Sequence, residues 1–202
     1  FVLIHFAFAS LAFVQLWLVR ERGLDSGTIA KQMGVLQILF GPLGAVLGGV
    51  ASDRFARHFK GGHASVLALM VLVMAPLMLA YRFAPAGSAL FYIGMCAGFV
   101  LPLATYGPAN ALIQALTPAH MRSTVTGATM MLINVFAVAI GNLAVGAVSD
   151  RLTATGSAVG LTVALVATDV LVACSLWFFW RASRSGDAHL ADAVDKNAVP
   201  VH

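Results

Sequence analysis

Charge is what this sequence has least of. Asp, Glu, Lys and Arg together make up 10% of its 202 residues, where a soluble domain carries roughly 25%. Hydrophobic residues make up 60%, and a soluble fold of this length has no core large enough to hide so much apolar surface. A membrane is therefore the expected solvent. The basic residues are scattered over short stretches and form no stripe, which argues against nucleic acid as a partner despite a net charge of +4. Cysteine is scarce too. Cys96 and Cys174 both sit inside apolar runs, where Cys acts as a small hydrophobe, so no disulfide framework or redox compartment follows from them. Catalytic motifs are missing: there is no G-x-S-x-G, no H-E-x-x-H, no glycine-rich phosphate loop ahead of a lysine and no Cys/His metal spacing, and His58 and His63 form only a loose pair. The expectation is a non-enzyme with no catalytic residue, no cofactor and no metal. Nor does a charged start precede the first apolar run at Phe1, as it would in a secretory signal. The sequence reads as one that begins inside a membrane helix, the C-terminal part of a longer protein.

What is present is a series of six apolar runs, each near the ~20 residues that cross a bilayer. They fall at about 1–19, 29–51, 64–81, 88–116, 123–148 and 157–180. These predict an all-α integral membrane bundle over residues 1–181. The fourth run is long enough to need tilt or a bend, and Pro102 and Pro108 supply bends by removing backbone donors. Trp177 and Trp180 close the sixth as an aromatic belt. Residues 182–202 are polar without a helical stripe and read as a disordered tail. The loops after the second and fourth spans, with the tail, hold Arg54, Arg57, Lys60, Arg122, Arg181, Arg184 and Lys196. The other loops hold Arg20, Arg22, Lys31, Arg82 and Arg151. This bias places the loop after the second span and the C-terminus in the cytoplasm.

The second span carries Gly41, Gly44 and Gly48 on one helical face. In water each would weaken a helix by roughly 1 kcal/mol relative to Ala; in lipid, small residues let two backbones approach. The span ends in Gly49-Val-Ala-Ser52-Asp53-Arg54-Phe-Ala-Arg57-His58. Half a chain later, Gly141, Gly146, Ser149, Asp150 and Arg151 repeat the spacing of Gly44, Gly49, Ser52, Asp53 and Arg54. Three spans separate the copies. Three is odd, so the second copy crosses in the opposite sense, which predicts a 3+3 inverted repeat.

Polar residues inside the spans mark where chemistry takes place. Tyr106, Asn110 and Gln114 recur every four residues in the fourth span, beside Thr105 and Gly107-Pro108. They share a slowly drifting face, and Pro108 frees the carbonyl of Ala104. A polar stripe beside a broken backbone suits a substrate pathway; the competing reading is packing between helices. His5 and Gln15 share a face of the first span with Phe8 and Ala12. Gln37 lies on the glycine face of the second span, and Asn134 and Asn142 lie in the fifth. All are substrate-cavity candidates. Asp169, near the middle of the sixth span, costs several kcal/mol there unless paired, wet or protonated, and is a proton-coupling candidate.

Two motifs resemble those of the major facilitator superfamily. Gly49 to Arg57 is similar to its G-x-x-x-D-R-x-G-R loop, departing at Ala56, where the family has glycine. Pro118-Ala-His-Met-Arg122 matches a P-x-x-x-R entry to the penultimate helix of the family's C-terminal half. The resemblance covers residues 1–181, with a likeness to the spinster-like subgroup. It implies the C-terminal six-helix half of a secondary transporter in the cytoplasmic (inner) membrane. Such a protein moves a small-molecule solute by alternating access against an N-terminal half of the same chain, with a proton or ion as a possible coupling partner. The resemblance also implies that the fourth span lines the cavity and that Gly49, Asp53, Arg54 and Arg57 form a conformational latch. It makes Asp169 a member of a supporting helix. The alternatives are a transporter-like sensor or scaffold, and a six-span protein working as a dimer.

Overall fold

The computed structural model describes residues 1–59 and 61–185. Lys60 and residues 186–202, which include most of the segment read as a tail, lie outside them. All the regular structure among the described residues is helical. Six helical stretches are long and apolar enough to cross a membrane: Val2–Arg20, Ser26–Phe55, Gly62–Tyr81, Ala89–Ala115, Ala119–Ala154 and Gly160–Arg184. They are the six spans in chain order.

Local chemistry sets the ends. Gly23, at φ +66°, lets the chain reverse after the first span, and the Leu24 N–H closes on the Leu18 carbonyl at 3.1 Å, the closure expected of a glycine-terminated helix. Asp25 caps the second span by accepting from the Thr28 N–H at 2.8 Å, and that hydrogen bond holds the carboxyl below its ordinary pKa. Ser88 caps the fourth in the same way, accepting from the Phe91 N–H at 3.2 Å. That span is broken at Thr105, between helices Ala89–Ala104 and Tyr106–Ala115. The cause is Pro108, which has no N–H for the Ala104 carbonyl. At the break the Thr105 hydroxyl donates to the Pro102 carbonyl at 2.9 Å.

Three spans depart from their expected bounds. The second is a 30-residue helix, Ser26–Phe55, that runs through Asp53 and Arg54 of the expected loop. The fifth runs for 36 residues, about 54 Å at the rise of an α-helix, so it extends past an apolar layer of ~30 Å. Its middle, Ile133–Ile140, is a wide π-helical segment. The sixth helix continues to Ser185, taking in residues 182–185 that composition assigned to the tail.

The core lies among the first, third, fourth and sixth spans. One cluster gathers Trp17, Leu18, Tyr81, Phe91, Met95 and Leu165, and another Ile4, Leu67, Val71, Leu101, Val172 and Phe179. The second and fifth spans flank this core and are the least covered, with 22% of their apolar windows buried against 39–56% in the other four. The second packs on the fourth, and the fifth packs on the first. The glycine face makes the former contact possible. Gly41, Gly44 and Gly48 are all buried, and a Cβ on Gly44 would stand 2.8 Å from the Val100 carbonyl oxygen. Gly141 repeats the device against the first span, where a Cβ would stand 3.0 Å from that of Ala9. Gly146 has more room, with Phe13 at 3.8 Å.

Candidate functional site

The break in the fourth span brings Tyr106 against the first span. Tyr106 packs edge-on to His5 at 4.8 Å between ring centroids and to Phe1 at 5.6 Å. Phe1 and Phe8 also contact the imidazole, at 4.4 and 5.5 Å. His5 is fully buried. Its Nδ1–H donates to the Phe1 carbonyl at 3.1 Å, which makes Nε2 the acceptor nitrogen of the neutral ring. Nε2 has no hydrogen-bond partner among the described residues. His5 therefore stands behind Tyr106, which is half-buried. Asn110, one turn further along, is half-buried and its Oδ1 has no partner among the described residues. Gln114 is exposed at the end of this face.

The other cavity candidates divide. Asn142 is half-buried next to Gly141, the residue seated on Phe6 and Ala9 of the first span, and its Oδ1 is also without a partner. Buried amide oxygens normally find partners, so Asn110 and Asn142 are two incomplete sites on two spans. Asn134 is exposed and satisfied by its own helix, donating to the Met130 carbonyl at 2.8 Å. Gln15 and Gln37 are exposed. The structure thus joins His5 to Tyr106 directly, and shows no contact linking Gln15, Gln37 or Asn134 to them.

Asp169 has a partner that composition did not disclose. Arg82, which follows the third span and reads as a turn residue, is buried, and its Nε lies 2.8 Å from Asp169 Oδ2. Arg82 Nη2 also reaches Asp169 Oδ1 at 3.4 Å and donates to the Ser10 hydroxyl. Ser10 in turn donates to Asp169 Oδ1 at 3.4 Å. The guanidinium lies 4.4 Å from the Tyr81 ring centroid and 5.0 Å from that of Trp17. The third, sixth and first spans are thereby tied at one buried point. The available signal was the acid itself: a lone carboxylate in an apolar span demands a cation, and Arg82, at the end of the third span, supplies it to the sixth.

A second tie lies at the same end of the bundle. Glu21, just past the first span, accepts from the N–H groups of Leu161 and Thr162 at 2.6 and 2.9 Å and from the Thr162 hydroxyl at 2.6 Å. A carboxylate is thereby placed at the positive end of the sixth helix. Trp17 Nε1 donates to the same hydroxyl at 2.7 Å, and Arg22 donates to the Ala84 carbonyl.

The latch candidates sit at the opposite end. Asp53, Arg54 and Arg57 are exposed and Gly49 is half-buried. The helix runs through Asp53 and Arg54 to Phe55. Arg57 Nε donates to the Asp53 carbonyl at 3.2 Å, and His58 Nδ1 donates to the Arg54 carbonyl at 2.8 Å. The Asp53 carboxylate accepts nothing among the described residues and caps no helix of this unit. Ser52, beneath it, is buried and bonded to His63 at 2.6 Å, bracing the turn.

No family model matches the chain, and no curated protein matches it. A solved structure does: a bacterial homolog of the human lysosomal transporter Spinster, in an inward-facing and unoccupied conformation. The TM-score is 0.74 at 18% identity, over 92% of this chain and 46% of that one. The chain thus spans less than half the length of the structure it resembles. With its six apolar spans, it is an integral, multi-pass membrane protein whose fold matches half of a major facilitator transporter.

Proposed function

We propose that the chain is the C-terminal half of a secondary transporter that carries a small-molecule solute by alternating access. The observation that carries this reading is its likeness, over nearly its whole length, to half of a transporter. The thin cover of the second and fifth spans supports a second half packed across them. An inverted repeat is supported by the packing. Exchanging the first three spans for the last three converts the second–fourth contact into the fifth–first, and the third–fourth into the sixth–first, and all four contacts are present. The substrate is placed between the halves. Tyr106, Asn110 and Asn142 contact it directly, and His5 holds the Tyr106 ring from behind. Asp169 serves as a clamp through Arg82, and coupling to a proton or ion rests elsewhere.

Accessibility tests the site. In the full-length protein, single Cys replacements at Tyr106, Asn110 and Gln114 should react with a water-soluble thiol reagent faster than Cys at the exposed apolar Leu72 of the third span. Substrate, once identified, should slow that reaction. Equal rates at all four positions would make the stripe a packing surface.

The Asp53 carboxylate, without a partner among the described residues, can meet a group of the other half in one state of the cycle. A charge-assisted hydrogen bond of this kind is worth about 1.5–3 kcal/mol, enough to shift a two-state balance tenfold or more. Asp53→Asn should slow transport by about that factor with expression retained. Adding Arg54→Ala or Arg57→Ala should cost little more, because one network is already broken. A wild-type transport rate in Asp53→Asn would make the segment an ordinary solvated turn.

A further inference from the structure

The Asp53 end of the bundle carries a cationic and aromatic rim, of which the transport reading uses only Arg54 and Arg57. Two distant segments build it. One is the turn from Arg54 to Phe59, in which Arg54, Phe55, Arg57, His58 and Phe59 are all exposed. The other is the end of the sixth helix, where Trp177 and Trp180 are about half exposed and the Arg184 guanidinium lies 3.8 Å over the Trp180 ring. A backbone contact joins them. A Cβ on Gly61 would fall 2.6 Å from the Ser183 Cα, so only glycine lets the turn lie this close to the last helix. Among the described residues at this end the acid is Asp53 alone, against Arg54, Arg57, Arg122, Arg181 and Arg184. Counting the sequence beyond them adds Lys60 and Lys196 against Asp187, Asp192 and Asp195, and the balance stays positive.

The geometry points to this rim as a docking surface for an anionic phospholipid of the adjoining leaflet. Exposed Trp and Phe at a helix end sit at the boundary between acyl chains and headgroups. Guanidinium groups at that depth match a phosphate with paired N–H donors, and stacking on Trp180 holds the Arg184 plane in place. A zwitterionic headgroup brings its own cation to a surface that already has an excess of positive charge. A soluble phosphate leaves the aromatic residues unused. A membrane lipid with net negative charge satisfies both parts of the rim.

The test uses the full-length protein in detergent, titrated with phosphatidylglycerol, with phosphatidylcholine, or with glycerol 3-phosphate, and reads the thermal unfolding midpoint. Phosphatidylglycerol should raise the midpoint saturably, and the other two should not. Half-saturation should require about fivefold more phosphatidylglycerol in Arg184→Gln and in Arg57→Gln, the effect of one surface charge on anionic-lipid affinity. Arg184→Lys, which keeps the charge but loses the paired donors and the stacking plane, should fall between wild type and Arg184→Gln, and an unchanged lipid-free midpoint in the variants guards against a folding artefact. The proposal is overturned by an equal response to phosphatidylcholine, which makes the lipid effect non-selective. It is overturned equally by a response to glycerol 3-phosphate alone, which makes the site a soluble-anion site. Unchanged half-saturation in both Gln variants places the lipid elsewhere and also overturns it.

Discussion

Asp169→Ala should destabilise the bundle by about 3–5 kcal/mol, the cost of stripping the partner from a buried ion. Arg82 is fully enclosed between Tyr81 and Trp17 and has no route by which to reclaim water. The Ser10 hydroxyl remains as an acceptor, but a neutral hydroxyl does not balance a guanidinium. Removing both charges should be far gentler. In an Arg82→Met, Asp169→Leu double variant the desolvation cost of both ions disappears, and well-packed apolar pairs replace buried ion pairs at little or no loss. Unfolding of the full-length protein in mixed micelles measures both variants. A loss below about 1 kcal/mol in Asp169→Ala would show that the pair is not closed in the membrane. The double variant also separates clamp from relay. If Asp169 carries a coupling proton, pH-dependent transport disappears when the carboxylate does. If it is a clamp, the folded double variant keeps its pH profile.

The span count, the glycine contact and the break in the fourth span were legible because each has a local cause. Apolar run length, glycine spacing and the missing N–H of Pro108 act within a few residues of where they stand. The Arg82–Asp169 pair was not legible in the same way, because its partners are 87 positions apart and a positive residue after a span reads equally well as a loop charge. The cap of Glu21 on the first turn of the sixth helix fails for the same reason, its partners lying 140 and 141 positions away. The π-helical turns at Ile133–Ile140 have no single-residue signature, since apart from Asn134 the segment is made of apolar residues that an α-helix also accepts. Gly94 was passed over although it stands four residues before Gly98, the spacing of Gly44 and Gly48, and a Cβ there would stand 3.0 Å from the Tyr81 Cγ. Among the site candidates, the four-residue spacing placed Tyr106 and Asn110 on one face. Spacing alone did not separate Asn142, with its unpartnered oxygen, from Asn134, which its own helix satisfies.

The glycines of the second span should respond to alanine in an order set by what each Cβ would meet. Gly34 faces open space, with nothing within 4 Å. Gly34→Ala should therefore be neutral or stabilising by up to about 1 kcal/mol, the helix-propensity difference. At Gly41 the obstacle is the Leu103 Cδ1 at 3.1 Å, the tip of a side chain that can rotate away, so the two effects should nearly cancel. At Gly44 the Cβ would stand 2.8 Å from the Val100 carbonyl oxygen and 3.0 Å from its Cα. Backbone cannot rotate away, and a loss of about 1 kcal/mol is expected after the propensity gain. Gly48 is the extreme case: its Cβ would lie 2.5 Å from the Ala104 Cα and 2.6 Å from its carbonyl carbon. The second and fourth spans must move apart, at the upper end of the 1–3 kcal/mol range for overpacking or beyond it. Ala104 is also the last residue before the break, and Tyr106 begins the next helix. The same displacement therefore moves the ring away from His5. Gly48→Ala should lose transport more steeply than its stability predicts, while Gly44→Ala, one turn further from the break, should lose the two in proportion. The unfolding midpoint of each variant, set beside its transport rate per folded molecule, provides the comparison. If Gly48→Ala is as stable and as active as Gly34→Ala, the two backbones do not meet at Ala104, and the glycine face has some other cause.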